Sequence, residues 1–228
     1  MSASAPVIAI DGPSGSGKGT IARRVAESLG WHLLDSGALY RIVALAAAEA
    51  GVSVAEEAEL AAIATGLDVE FAMAGNGEEE IMLAGREVSG LLRNEECGRL
   101  ASSIASVPAV REALLGLQKS FREAPGLVAD GRDMGSVVFP DAALKVFLTA
   151  SAKQRAKRRH KQLKDKGIDV SLPALSRDIE ERDKRDSERS VAPLRPADDA
   201  RMLDSSNQTI EEVTQTVLDW VQEFLEVT

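Results

Sequence analysis

The sequence predicts an α/β fold in which a parallel sheet presents a phosphate-binding loop. A short apolar run, Val7–Ile10, leads into a glycine-rich loop and then into a helical pattern of apolar residues. Further short apolar runs alternate with helical patterns along the chain, as strands and covering helices do in a parallel sheet. Between residues 68 and 88 the pattern favours short antiparallel strands instead. We therefore expect a sheet of parallel strands together with a small inserted antiparallel sheet.

The glycine-rich loop matches a P-loop, the turn that binds nucleotide phosphates between a strand and a helix. Four glycines fall in the eight residues from Gly12 to Gly19. Glycine lets the backbone curl so that successive N–H groups point at a phosphate, and Lys18 adds a mobile positive charge. The flanking strand and helix disfavour the alternative of a flexible Gly/Ser turn. The predicted phosphate-binding residues are Gly12, Pro13, Ser14, Gly15, Ser16, Gly17, Lys18, Gly19 and Thr20.

Gly19 departs from the common form of this motif. A serine or threonine usually follows the lysine and binds Mg²⁺ through its hydroxyl, but here Gly19 stands in that place and Thr20 comes next. The departure argues against GTPase-like and motor-like P-loop proteins, which use that hydroxyl on the metal. Gly-Lys-Gly-Thr is typical of nucleoside monophosphate kinases.

Four more apolar runs are predicted as strands of the same sheet, at residues 31–34, 126–130, 144–148 and 201–204. With residues 7–10 they give five parallel strands, flanked by helices that include 38–50, two pieces within 94–121, and a last helix whose apolar stripe ends at Phe224. Gly75-Asn76-Gly77 predicts the hairpin turn of the inserted sheet. Arg41 is expected in the first turn of helix 38–50, where the helix dipole disfavours a cation. A bound anion there, or a plain surface position, would account for it.

Composition limits the partners and the compartment. The chain has 228 residues and a formal net charge of −9, which disfavours a nucleic-acid polymer as the main partner. No apolar run approaches the roughly 20 residues of a membrane span, and the apolar run Val7–Ile10 is far too short for that of a secretory signal. Cys97 is the single cysteine, so no internal disulfide can form. We expect a cytoplasmic protein without a membrane partner.

Residues 151–190 are predicted to form two strongly charged helices around Gly167. Between Lys153 and Lys166 there are eight Lys/Arg residues and one acidic residue. This segment has few large apolar residues, so we expect it to be mobile. Arg182, Arg185, Asp186 and Arg189 share one helix face, where like charges repel. A phosphate-bearing ligand would relieve that repulsion; a solvated helical hairpin is the alternative.

Four motifs together resemble the bacterial cytidylate kinase family. They are Gly-Pro-Ser-Gly-Ser-Gly-Lys-Gly-Thr at 12–20, Asp-Ser-Gly-Ala-Leu-Tyr-Arg at 35–41, Asp-Gly-Arg-Asp-Met-Gly at 130–135 and Glu-Arg-Asp-Lys-Arg-Asp at 181–186. They recur in the family's order from Val7 to about Asp204, nearly the whole chain. The P-loop alone indicates only a P-loop kinase, whereas the later motifs and the β-rich insert point to cytidylate as the acceptor.

The resemblance implies a P-loop NTPase fold and an ATP-dependent enzyme. It would transfer the γ-phosphoryl group of ATP to CMP or dCMP, giving CDP or dCDP and ADP, with Mg²⁺ bound to the ATP. It implies a single kinase domain, monomeric, with a core at 1–37, 111–150 and 191–228, a monophosphate-binding part at 38–110 and a lid at 151–190. The alternatives are another small-acceptor kinase, for UMP, dTMP or shikimate, and a non-catalytic switch that binds ATP.

The resemblance also implies roles for individual residues. Cytosine would contact Ser36, Ser102, Arg111, Asp133 and Arg189; the acceptor phosphate would contact Arg41, Arg132 and Arg182; and Asp186 would bind the ribose hydroxyls. Lys18, Arg132, Arg182 and Arg185 would act on the transferred group.

The chemistry agrees with these residue types. The acceptor is already an anion, so transfer needs charge neutralisation and alignment rather than a general base. Neither His32 nor His160 is expected to be catalytic. No side chain is expected as a direct metal ligand: Mg²⁺ would be held by ATP phosphates and water, with Asp35 or Asp130 outside them.

Overall fold

A computed structural model describes residues 4–73, 79–165 and 167–225 of the chain. In chain order these form β1 (Val7–Asp11), α1 (Lys18–Leu29), β2 (His32–Asp35), α2 (Ser36–Ala50), α3 (Glu57–Thr65), β3 (Val69–Met73), β4 (Glu79–Leu83), β5 (Arg86–Glu87), α4 (Ser89–Leu92), α5 (Glu95–Ile104), α6 (Pro108–Ser120), β6 (Leu127–Gly131), a short π-helical turn (Met134–Val138), β7 (Leu144–Thr149), α7 (Ala152–Asp165), α8 (Leu172–Ser187), β8 (Arg201–Asp204) and α9 (Ile210–Leu225). The chain divides into two compact units, a larger one of Met1–Asp35 with Lys119–Thr228 and a smaller one of Ser36–Gln118.

The larger unit contains the predicted five-stranded sheet, in the order β2-β6-β1-β7-β8. Every neighbouring pair is parallel, and β1 lies between β6 and β7, with Ile8 opposite both Val128 and Leu144. All five residues of β1 are buried, which explains why its sequence is a continuous apolar run rather than an alternating one. The predicted α/β class and strand set are confirmed.

The core of the larger unit lies where α1 and α9 cover the sheet. Ile8 and Ile10 of β1 pack with Val25 of α1 and with Val217 and Val221 of α9. The apolar residues of both helices recur at helical spacing, so each helix buries one stripe and leaves its charged side to solvent. This packing fixes the end of β1 from which the glycine-rich loop emerges.

The carboxylate of Asp11, the last residue of β1, holds the segment after β6. It accepts hydrogen bonds from the backbone N–H groups of Met134 and Gly135, both at 2.8 Å. Burial raises the pKa of Asp11 to about 6, although these two hydrogen bonds oppose the rise. The charged form of this carboxyl is therefore costly in the folded state.

The smaller unit contains helices α2–α6 and the predicted antiparallel sheet, with strand order β3-β4-β5. Phe71 pairs with Ile81, and Met82 pairs with Glu87. The predicted turn at Gly75–Gly77 lies outside the described residues. α6 begins at Pro108, because a proline at the first helical position loses no hydrogen bond.

The charged segment forms two helices, α7 and α8, as predicted. Leu163 of α7 and Leu175 and Ile179 of α8 are buried, so a narrow apolar contact joins the pair. Ser171 caps α8 by accepting a hydrogen bond from the N–H of Ala174. The expected mobility of this segment stays a prediction, as do the boundaries of core, monophosphate-binding part and lid.

No helix within the described ranges is, by itself, long and apolar enough to cross a membrane. The helices α5 and α6 reach the required length and hydropathy only as a pair, and the chain bends by 101° between them.

We predict that Asp11→Asn changes how stability depends on pH. Because the folded-state pKa of Asp11, about 6, lies above its ordinary value of 3.8, stability from this carboxyl is fully present below pH 3.8 and is lost as pH rises through 6. The difference corresponds to about 3 kcal/mol. Urea denaturation at several pH values should therefore show the wild type losing about that much relative to Asp11→Asn between pH 4 and pH 7. Parallel pH profiles for the two proteins would contradict the prediction.

Candidate functional site

The glycine-rich loop joins the C-terminal end of β1 to the first turn of α1. A Cβ on Gly12 would lie 2.0 Å from the carbonyl oxygen of Leu148 on β7, so only glycine fits there. Gly15 and Gly17 have φ values of 77° and 96°, in the left-handed region that favours glycine. Gly17 caps α1 without a side-chain hydrogen bond. The first-turn N–H groups of α1 therefore have no side-chain cap, which is the arrangement of an anion-binding helix N-terminus.

Lys18 lies among four other charged groups. Its ammonium is 3.9 Å from a carboxylate oxygen of Asp130, and both side chains are largely buried. Burial lowers the pKa of Lys18, and Arg132 and Arg182 lower it further, whereas Asp130 and Asp35 raise it. Burial raises the pKa of Asp130, against the opposing effect of Lys18. The structure thus brings together residues from all four of the motifs that the sequence singled out.

The space beside Gly19 explains the departure from the common motif. A Cβ on Gly19 would lie 3.0 Å from Oδ2 of Asp130, so this carboxylate occupies the place that a serine or threonine side chain would need. Oδ1 of Asp130 is buried and has no hydrogen-bond partner. A buried carboxylate oxygen without a donor can accept a hydrogen bond from a ligand, such as water bound to a metal ion.

The end of α8 joins the segment after β6 through a buried carboxylate. Asp186 is 1% exposed; it accepts a hydrogen bond from Nε of Arg132 at 3.0 Å and another from Nη2 of Arg189. Burial by itself raises the pKa of Asp186, but Arg132, Arg189 and Arg182 outweigh burial, and the pKa lies below its ordinary value. Asp186, a residue of the same chain, therefore relieves part of the repulsion between the arginines that the sequence predicted on one helix face.

Two other predicted site residues, Asp133 and Arg185, are sequence neighbours of Arg132 and Asp186. Asp133, the residue after Arg132, is buried. Arg185 lies half-buried on α8, one residue before Asp186. Both residues belong to the larger unit, and their roles stay predictions.

In the smaller unit, Arg41 is held against the N-terminal end of α5. Its Nη1 donates to the carbonyl oxygen of Leu92 at 2.6 Å, and a Cβ on Gly98 would lie 3.1 Å from its guanidinium nitrogens. The expectation that Arg41 lies in the first turn of its helix is wrong. The helix α2 begins at Ser36, directly after β2, because the polar residues 35–37 form no separate turn, so Arg41 falls in the second turn.

The remaining predicted residues of the smaller unit are buried polar groups. Oγ of Ser36 accepts a hydrogen bond from Nε2 of Gln118 at 2.9 Å. Arg111 donates to the carbonyl oxygen of Ala105 at 3.1 Å, and its guanidinium carbon lies 5.7 Å from the centre of the Tyr40 ring. Ser102 of α5 is also buried. Gln118 was missed by sequence reasoning because a single glutamine in a helix carries no recognisable pattern.

Comparison with known proteins identifies the family. Residues 8–223 match the family model described as cytidylate kinase. The chain belongs to the cytidylate kinase family. The cytidylate kinase of Pseudomonas entomophila is 60% identical over 218 residues, which are 95% of this chain and 96% of that protein. The cytidylate kinase of Methylococcus capsulatus is 58% identical over 217 residues, with 95% and 97% covered. The match extends over all four motifs.

A solved structure supports the fold. The crystal structure of a gluconokinase from Sinorhizobium meliloti superposes with a TM-score of 0.50 at 15% sequence identity, covering 97% of this chain and 94% of that chain. At this identity the similarity shows only that the two chains share a fold.

We predict that Gly12→Ala destabilises the protein by about 3 kcal/mol. The added methyl group would meet a backbone carbonyl 2.0 Å away, and neither strand can move without breaking sheet hydrogen bonds. Gly116→Ala is the matched control, because a Cβ there meets nothing within 4 Å and lies on α6. The control should gain about 0.5–1 kcal/mol, since alanine favours a helix. Equal urea midpoints for the two variants would contradict this account of Gly12.

Proposed function

We propose that the protein transfers the γ-phosphoryl group of ATP to CMP or dCMP, giving CDP or dCDP and ADP. The observation that carries the proposal is the glycine loop with Lys18 at its end, in a chain that matches the cytidylate kinase model over residues 8–223. The names of the relatives support cytidylate as the acceptor, and the loop supports a nucleoside triphosphate as the donor.

The loop would hold the donor. Backbone N–H groups between Gly12 and Thr20 would donate to the phosphates of ATP, and the ammonium of Lys18 would contact the outer phosphates. The ammonium of Lys18 lies 3.9 Å from Asp130, beyond hydrogen-bond distance, so this ion pair leaves its N–H groups able to donate to a phosphate oxygen. Arg132, Arg182 and Arg185 would join it in neutralising the charge on the transferred group.

The acceptor would be held by polar side chains that the family resemblance assigns. We propose that Ser36, Ser102, Arg111, Asp133 and Arg189 contact cytosine, that Arg41, Arg132 and Arg182 contact its phosphate, and that Asp186 binds the ribose hydroxyls. Most of these side chains are buried and oriented by hydrogen bonds of their own, as a recognition site for a small polar ligand requires. No general base is needed, because the acceptor oxygen is already ionised.

The residues near Lys18 fit a magnesium ion bound through water. Within the described ranges no three His, Cys, Asp or Glu side chains cluster as a protein-only metal site would require. The carboxylate of Asp130, with its unbonded Oδ1, and Asp35 nearby would accept hydrogen bonds from the ion's water molecules. Mg²⁺ bound to ATP would supply further positive charge to the phosphates. We further propose a monomeric, cytoplasmic enzyme, from its family and its composition.

A coupled assay of ADP release tests the acceptor. Wild-type protein with ATP and Mg²⁺ should turn over with CMP and dCMP, and much less with UMP, dTMP or shikimate. Preference for one of the last three would replace the proposal by another small-acceptor kinase. Tight ATP binding without turnover of any acceptor would favour a non-catalytic switch.

We predict that Lys18→Ala lowers kcat with CMP by about 100-fold or more, because it removes charge stabilisation of the transferred group. Lys119→Ala, which removes an exposed lysine from the last turn of α6, is the control and should keep the wild-type rate. Circular dichroism should show both variants folded. A wild-type kcat in Lys18→Ala would exclude Lys18 from the reaction.

A further inference from the structure

Two arginines of α7 hold the phosphate loop from its outer side. Arg155 and Arg158 are three residues apart and therefore share a helix face. Nη1 of Arg155 donates to the carbonyl oxygen of Ser14 at 3.0 Å, and Nη1 of Arg158 donates to that of Ser16 at 3.0 Å. The hydroxyl of Ser205 donates to the Ser16 carbonyl as well, also at 3.0 Å. Alternate peptide groups of the loop are thus anchored by side chains far along the chain.

These contacts determine which way the loop amides point. In a planar trans peptide the C=O and the N–H that follows it point in opposite directions. Holding the carbonyls of Ser14 and Ser16 towards α7 therefore directs the N–H groups of Gly15 and Gly17 away from it. Amides fixed before a phosphate binds need no reorganisation when it arrives.

Arg155 makes a second set of contacts, to α8. Nη1 donates to Oδ1 of Asp183 at 2.9 Å, and Nη2 donates to Oδ2 of the same carboxylate, so the ion pair is bidentate. Nε donates to the carbonyl oxygen of Ala150 at 2.9 Å. Arg155 is 4% exposed, and a Cβ on Gly15 would lie only 3.3 Å from its Cβ. One buried guanidinium therefore connects the loop, the end of β7 and α8.

Asp183 lies next to residues of α8 that the proposed function uses. Arg182 precedes it, and Asp186 follows one helical turn later, bonded to Arg132. Arg182 is also near enough to Lys18 to influence its pKa, after burial and Arg132. Two ion pairs, Arg155–Asp183 and Arg132–Asp186, thus connect α8 to the rest of the larger unit, and each has one buried partner.

We infer that Arg155 is a positioning residue for both substrates. Through Ser14 it orients the amides that bind ATP, and through Asp183 it holds α8, which carries residues that bind the acceptor. This inference rests on the proposed function, and it assigns a role to a side chain to which that function gives no substrate contact. The two parts of that role can be separated, because Asp183 lies on α8 and bonds Arg155, whereas Arg155 reaches the loop through a separate hydrogen bond to Ser14.

The test compares Arg155→Lys, Asp183→Asn and the double variant, with Arg177→Lys, an exposed position of α8, as the matched control. Lysine cannot donate to Ser14 and to both oxygens of Asp183 at once, so Arg155→Lys should raise KM for ATP and KM for CMP, each about tenfold. Asp183→Asn leaves Arg155 bonded to Ser14 and Ala150. It should raise KM for CMP about fivefold and change KM for ATP less than about twofold. Arg177→Lys should change neither.

The double variant should resemble Arg155→Lys alone, because both substitutions break the same pair. Equal effects of Asp183→Asn on both KM values, no effect on either, or additive effects in the double variant would overturn the inference. Thermal unfolding verifies that each variant is folded. If Arg155→Lys does not fold, the inference is still tested by Asp183→Asn, which should raise KM for CMP more than KM for ATP.

Failure of the proposed function would be visible separately, as an absence of CMP-stimulated ADP release from the wild type. In that case calorimetric titration with ATP alone still tests the loop. Arg155→Lys should weaken ATP binding about tenfold, while Asp183→Asn and Arg177→Lys should not. Unchanged ATP affinity in Arg155→Lys would overturn the inference whatever the acceptor.

Discussion

The larger unit depends on the close approach of two backbones at the end of β1. The chain leaves the sheet at Gly12, against the carbonyl oxygen of Leu148, with no room for a side chain. One residue earlier, Asp11 binds the N–H groups of Met134 and Gly135 and so fixes the segment after β6. The start of the loop is therefore held from both neighbouring strands. This explains how a glycine-rich sequence, flexible by composition, can hold a defined conformation.

The features that could be predicted from the sequence are those with a local pattern. The strands, the helices after them and the loop follow from apolar spacing and from glycines within a few residues of each other. What could not be predicted depends on partners distant in sequence. Gln118 bonds Ser36 and Arg155 pairs with Asp183, yet Gln118 and Arg155 are ordinary residues in their own segments. Asp130 belongs to a recognisable motif, but its position in the space beside Gly19 has no local pattern. The start of α2 was misplaced because residues 35–37 resemble a turn by composition.

The larger unit contains a cluster of positive side chains, although the chain as a whole carries a negative net charge. The formal net charge is −9, but Lys18, Arg132, Arg182 and Arg189 lie close to a few buried carboxylates. A buried carboxylate such as Asp186 serves the fold only while its arginine partners are present, because a buried charge without a partner is costly. Loss of any one of these arginines would therefore leave part of the Asp186 charge without a partner.

The outer side of the loop completes this arrangement. Peptide dipoles contribute to phosphate binding only if their direction is fixed, and a loop rich in glycine does not fix them itself. Arg155 and Arg158 fix the carbonyl ends of two of these peptides, while their positive charges stay on the side away from the amides. The reaction that we propose has no proton to remove from its acceptor, so its rate depends on how well charges and dipoles are placed before the substrates arrive. The buried Arg155 behind the loop therefore contributes by orienting amides, whereas Lys18 in front of the loop contributes charge.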